Sequence, residues 1–164
     1  MPADLENTLY LDVPAGRVVI ELRPDLAPGH CAHIKALARR GFYDGIVFHR
    51  VIAGFMAQTG DPTGTGSGGS GQRLKAEFSA EPHVRGTLSM ARTSDPDSAD
   101  SQFFICFADA GFLDRQYTVW GQVVSGMEHV DAIKKGSEAR NGSVTDPDSI
   151  IKMQVAADAA EWLA

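Results

Sequence analysis

The side chains best equipped for chemistry gather in two β-rich runs. Arg50 sits inside Phe48-His-Arg-Val-Ile52, Phe55-Met56 and Gln58 follow it, and Gln102-Phe103-Phe104 repeats the mixture of amide and aromatic groups further along. An arginine at the centre of so apolar a strand must reach solvent, pair with an anion or serve a site. Spacing alone favours a salt bridge at a barrel edge and leaves the site as the open alternative.

Other groupings promise less. Gly64/Gly66/Gly69 and Gly66/Gly68/Gly71 both satisfy G-x-G-x-x-G. A dinucleotide cradle, however, needs a strand before it and a helix N-terminus after it, and residues 72–78 open no convincing helix. No P-loop sequence and no G-x-S-x-G occur, which removes the usual signatures of NTPases and of nucleophile-elbow hydrolases. His30 and His33 could share a metal with Cys31 or a remote carboxylate, yet two ligands do not make a site and no second cluster is spaced to complete one. Solvated helix histidines and no bound metal are the expectation. Asp95, Asp97 and Asp100 resemble a fragment of a calcium loop that lacks its glycine and bidentate glutamate, so a turn rich in Asx and Ser is expected there.

A chain of 164 residues is long enough for one core and short for two, so one unit over residues 1–164 is expected. Seventeen glycines and eight prolines favour a turn-rich β architecture over a helical bundle. Fifteen basic against twenty-one acidic side chains give a formal charge of −6, which offers no global support for gripping nucleic acid or anionic lipid. No apolar run approaches the roughly 18 residues of a membrane span, and Met1-Pro-Ala-Asp-Leu-Glu6 lacks the features of a signal peptide. A cytoplasmic protein is therefore expected. Cys31 and Cys106 have no CxxC spacing and should be free, largely buried thiols.

Residues 7–13 and 16–22 read as an antiparallel hairpin turning at Pro14-Ala15. From Asp25 to Arg40, Pro28 suits a first helical turn, Cys31, Ile34, Leu37 and Ala38 recur at helical spacing, and Gly41 stops the helix. Further strands are expected at 46–52, 54–58, 86–91, 102–107, 118–124 and 150–156. A second, shorter helix should open at Ser125 in capping-box spacing with Glu128 and close at Gly136. Eight strands and two helices suggest a mainly β fold, a closed or nearly closed antiparallel barrel with its ends plugged by the helices. The polar loops 60–72 and 92–101 are long enough to rim a site.

Three stretches sharpen this reading: Phe48-His-Arg-Val-Ile-Ala-Gly-Phe-Met-Ala-Gln-Thr-Gly-Asp61 with Gly64-Thr-Gly66, then Gly86-Thr-Leu-Ser-Met-Ala91, then Ser101-Gln-Phe-Phe-Ile-Cys106. In this order they resemble the cyclophilin family of peptidyl-prolyl cis–trans isomerases, and the resemblance runs from the first hairpin to the last strand. It implies a closed eight-stranded antiparallel β-barrel capped by two α-helices, with substrate in a groove on the outer surface. It further implies that Arg50 is the catalytic arginine and that Gln58 orients it, with His49 in support only. Phe55, Met56, Phe104 and Leu113 would wall a proline pocket. Ala91, Arg92 and Gln102 would hold the preceding residues, and Phe112 and Tyr117 would lie at the rim.

Such a reaction needs no nucleophile. An X-Pro bond turns slowly because twisting destroys amide resonance, at roughly 18–20 kcal/mol. A donor that meets the lone pair regained by the twisted proline nitrogen lowers that barrier, so no cofactor is implied. The expected partners are proline-containing peptides and unfolded or partly folded proteins, met by a monomer. Many eukaryotic relatives carry Trp where Phe112 stands, Asn where Arg92 stands, and an insertion before the Phe-His-Arg strand; the shorter form resembles bacterial cytoplasmic cyclophilins. Since Phe112 has no indole N–H, cyclosporin should bind weakly. The alternatives are a proline-segment binding module or holdase with little dependence on turnover and, least favoured, a metal hydrolase built on His30 and His33.

Overall fold

A computed structural model describes residues 4–159. Residues 1–3 and 160–164, which carry the start of the segment compared with a signal peptide and the last part of the expected 1–164 unit, lie outside the described residues. Strands β1 (Thr8–Val13) and β2 (Gly16–Leu22) form the expected hairpin, with Leu9 opposite Ile20 and Leu11 opposite Val18. All four of those side chains are fully buried, as alternation on a pleated strand requires.

Helix α1 (Pro28–Arg39) begins with Pro28 in its first turn and buries His30, Cys31, Ile34, Leu37 and Ala38. Its N-terminus is capped from a distance. Glu77 accepts bonds from the amides of Gly29 (3.1 Å) and His30 (2.8 Å). At the other end the Phe42 amide returns to Leu37 O and that of Gly41 to Ala38 O, the crossed pair of a Schellman stop.

Six more strands follow: β3 (Arg50–Ile52), β4 (Met56–Thr59), β5 (Thr87–Met90), β6 (Phe103–Cys106), β7 (Val119–Ser125) and β8 (Lys152–Val155). All pairs are antiparallel, in the order β3-β4-β6-β5-β7-β2-β1-β8. The expected closed barrel does not form: β3 and β8 are unpaired with each other, and the sheet is an open, curled half-barrel. The reason lies at the edge of β3. Its backbone is engaged by the 136–144 connection, with Val51 N–H donating to Gly142 O, Gly136 N–H to Val51 O and Val144 N–H to His49 O. Only the residues before β3 and β8 meet, through the Val47–Ser149 bridge and bonds such as Ile150 N–H to Ile46 O. Residues 46–49 of the expected strand are accordingly not part of a ladder.

The second helix, α2 (Met127–Asp131), is five residues long and has no side-chain cap. Ser125 cannot begin a capping box because it still pairs with Val19 at the end of β7. Gly126 makes the turn instead, at φ 85°, where a Cβ would collide with Arg17 O. α1 packs on β7 and β8, and α2 on β2.

The sheet buries apolar side chains on both faces. Phe103 and Ile105 of β6 join Trp120, Tyr43, Phe48 and Ile34 in the main core, while Phe104 and Cys106 join Met56, Ala110 and Leu113 in a second cluster on the other face. Both cysteines are free and buried, as expected. Burial pushes the Cys31 thiol up to about 11 and the Cys106 thiol to about 12, so both stay protonated and unreactive.

Candidate active site

Strand register aligns the residues that the sequence separates. Arg50 of β3 pairs with Gln58 of β4, Gln58 with Phe104 of β6, and Phe104 with Ser89 of β5. Directly paired residues share a sheet face, so the row continues into the second apolar cluster. Arg50 Nη1 donates to Gln58 Oε1 at 3.1 Å, and Gln58 Nε2 donates to Gln102 Oε1 at 3.0 Å. Gln102 Nε2 in turn reaches the carbonyls of Gly66 and Gly68, both at 2.9 Å, while its backbone carbonyl takes the Ala91 amide. A relay of amides thus ties the guanidinium to the glycine-rich loop.

Beside the guanidinium lies a cavity of about 120 Å³ walled by Phe55, Met56, Phe104, Leu113 and Tyr117, with Gln58, Ala91 and Arg92 on its margin. Leu113 and Phe112 come from a 3-10 turn (Gly111–Leu113) that closes over the second cluster. Tyr117 packs edge-on to Phe104, which makes it a wall. Phe112 is 68% exposed, its ring 5.4 Å from Phe55, and stands outside the cavity as an apolar rim.

Arg92 separates this cavity from a larger one of about 410 Å³ bounded by the glycine-rich loop, Thr93, Ser98 and Gln102. Its Nε and Nη2 donate to Gln116 O, its Nη1 to Thr93 O, and its guanidinium lies 4.7 Å from the Tyr117 ring centroid. The side chain is a fixed partition, since its donors are engaged by backbone carbonyls.

The loop that carries the G-x-G-x-x-G spacing is filled by the chain itself. Asp61 accepts the amides of Thr63 (2.8 Å), Thr65 (3.1 Å) and Gly66 (2.6 Å), together with the Thr63 hydroxyl. Burial works to raise the Asp61 carboxyl, but these donors hold it well below the usual carboxylate range. Asp100 pins the far end of the loop by accepting from the Ser70 hydroxyl and the Gly71 amide.

The helix histidines are not solvated, contrary to expectation. His30 is 1% exposed with Nδ1 2.6 Å from Glu77, and the largely buried His33 faces Asp100 at 3.4 Å. Glu77 of segment 72–78 and Asp100 of the loop 92–101 meet α1 from outside, which its own sequence could not reveal. Among the described residues no group of three His, Cys, Asp or Glu side chains could hold a metal ion. The expected Asx turn is present at Asp95, whose carboxylate takes the Asp97 amide at 2.9 Å; Asp100 belongs to the loop anchor instead.

Two residues at the site escape a reading by motif. Asn141 accepts from Arg50 twice, its carbonyl from Nε at 3.0 Å and its Oδ1 from Nη2 at 3.1 Å. The only sequence signal was Asn141-Gly142, a turn dipeptide that says nothing about a partner 91 positions away. His83 stacks on Phe104 and lies 2.9 Å from the Ser89 hydroxyl and 3.1 Å from Asp114, joining the floor of the pocket to the turn that covers it.

Residues 8–155 match the family model for the cyclophilin type peptidyl-prolyl cis-trans isomerase/CLD. A probable peptidyl-prolyl cis-trans isomerase of Brucella suis is 58% identical over 168 residues, spanning 95% of this chain and 86% of that protein. Among solved structures, a cyclophilin from Hirschia baltica superposes with a TM-score of 0.85 at 29% identity, covering 96% of this chain and 76% of its own. A Cryptosporidium parvum cyclophilin type peptidyl-prolyl cis-trans isomerase, crystallised in the presence of the dipeptide Ala-Pro, gives 0.82 at 29% identity over 90% and 98% of the two chains.

Proposed function

The chain belongs to the cyclophilin-type peptidyl-prolyl cis–trans isomerases, and on that premise we propose that it seats a proline ring in the cavity beneath Arg50 and stabilises the twisted X-Pro bond with that guanidinium. The observation that carries this reading is the strand-paired row of Arg50, Gln58 and Phe104, which sets a charged donor at the margin of an apolar pocket. In the planar ground state the proline nitrogen offers no acceptor. In the twisted state it does, and a donor already in place favours that state selectively. Arginine suits the position because it stays protonated and its donor fork is rigid. The walls of Phe55, Met56, Phe104, Leu113 and Tyr117 hold the ring while the preceding carbonyl rotates, and they keep water from the charged contact. Crystallisation of the Cryptosporidium relative in the presence of Ala-Pro supports proline as the recognised residue.

The test is cis-to-trans relaxation of a short Ala-Xaa-Pro peptide with wild type and folded Arg50→Ala, in chelator. One preorganised donor is worth roughly 3–4 kcal/mol, so the variant should lose about two to three orders of magnitude in rate. A loss below about threefold would remove Arg50 from the mechanism. The second reading, a module that holds proline-containing segments without relying on turnover, draws on the exposed Phe112 beside the pocket. It requires saturable peptide binding with no acceleration by the wild type.

A further inference from the structure

We propose that Asn141 is a positioning residue for the reaction, holding the Arg50 guanidinium toward the proline pocket; this rests on the role given to Arg50 above. A guanidinium carries five N–H donors. Asn141 occupies the Nε and Nη2 side through two oxygens, and Gln58 takes one donor of Nη1. That leaves one N–H on each terminal nitrogen for a substrate. The N–H donors of a guanidinium lie in its plane, so acceptors held on both sides of the fork fix its rotation as well as its position.

The need for a second holder follows from the space around Arg50. A cavity of about 440 Å³ lies on the side of Arg50 away from Phe55 and Met56, lined by His49, Gly64–Gly66, Arg140, Asn141 and Ser143. A long side chain held by Gln58 alone could swing into that space, where no proline could reach it. Asn141 occupies the boundary. The segment carrying it is zipped onto β3, with Val51 N–H donating to Gly142 O at 2.8 Å and an Arg50–Ser143 bridge. Gly142, at φ 83°, lets the backbone come this close, since a Cβ there would lie 2.5 Å from Ile52 Cγ1. Asn141 itself is left-handed at φ 57°, a conformation that asparagine tolerates better than most residues and that turns its own carbonyl and side-chain oxygen to the same guanidinium.

Asn141→Gly is the informative variant, because glycine keeps the left-handed turn and the backbone acceptor while removing the carboxamide and with it the Oδ1 that Arg50 uses. With the same proline peptide, kcat should fall on the order of tenfold, the size of one hydrogen bond to a charged group, while KM changes less than about twofold. The double variant with Arg50→Ala should be no slower than Arg50→Ala alone. Rotation of the guanidinium about Nε–Cζ, read by NMR from whether the Nη signals are separate or averaged, should be slow in wild type and fast in Asn141→Gly. Asn141→Asp, which keeps an oxygen in place, should restore slow rotation and part of kcat. Asn141→Gly with kcat within twofold of wild type, an equal loss in the Arg50→Ala background, or unchanged guanidinium rotation would each overturn the proposal. A wild type that does not speed relaxation would overturn the isomerase reading, and the NMR comparison would still decide whether Asn141 holds Arg50.

Discussion

Phe112 widens the apolar rim of the pocket through its contact with Phe55, yet its phenyl ring brings no donor to that rim. An indole at the same place would cover the same surface and add an N–H. Phe112→Trp is therefore expected to tighten cyclosporin binding by up to about tenfold, the range of one neutral hydrogen bond, with little change in the rate on a short peptide. Calorimetric titration of the two proteins decides this; equal affinities would mean that the missing donor does not set the binding strength. Arg50, Gln58 and Phe104 stand out in the sequence through the family resemblance, since spacing alone favours a barrel-edge salt bridge for Arg50; what the structure adds is that strand pairing sets the three in one row. Arg92 was legible only as a residue near the groove. Its function as a partition depends on Gln116 and Tyr117, which pattern alone does not connect to it. Asn141 was invisible for the same reason, since its partner is set by the path of the chain.

At the scale of elements, runs of β-forming residues located all eight strands within a few residues and helical spacing located α1, although β5 and β6 are buried on both faces and show no alternation. What failed depended on neighbours. The capping box at Ser125 was right in composition, but β7 runs through that serine and pairs it with Val19. Barrel closure failed because a strand count does not say which edge is occupied, and here the 136–144 connection occupies the edge of β3. The loop 60–72 shows how one buried anion can organise an element with no ladder of its own. Asp61→Asn leaves a single carbonyl oxygen for donors that now share two, so at least one amide loses its acceptor. The expected loss is about 1–3 kcal/mol of stability, visible in denaturant unfolding. Because Gln102 hangs from the Gly66 and Gly68 carbonyls, KM for a longer peptide should rise while the rate on an Ala-Pro core is largely kept. An Asp61→Asn protein as stable as wild type would show that the loop holds its shape through other contacts.

For the molecule as a whole, one sheet serves two apolar layers, and polar groups are sealed where outlying segments meet it. Three histidines mark those seams: His30 under Glu77, His49 behind Arg50, and His83 between Ser89 and Asp114. Burial lowers all three below the ordinary value near 6.5, Glu77, Asp61 and Asp114 opposing the effect at His30, His49 and His83 and Arg50 adding to it at His49. The unfolded chain therefore takes up protons near pH 6.5 that the folded chain refuses, so folding stability is complete above about pH 7 and declines as the pH falls through that value. The lowered carboxyls of Glu77 and Asp61 act in the same direction further down, where the unfolded chain begins to protonate near its ordinary carboxylate values. The urea midpoint should fall between about pH 7.5 and about pH 5.5, with the loss in that interval due chiefly to the histidines. A level midpoint would show that Glu77, Asp61 and Asp114 welcome the imidazolium forms as well as water does, and that the seams tolerate charge.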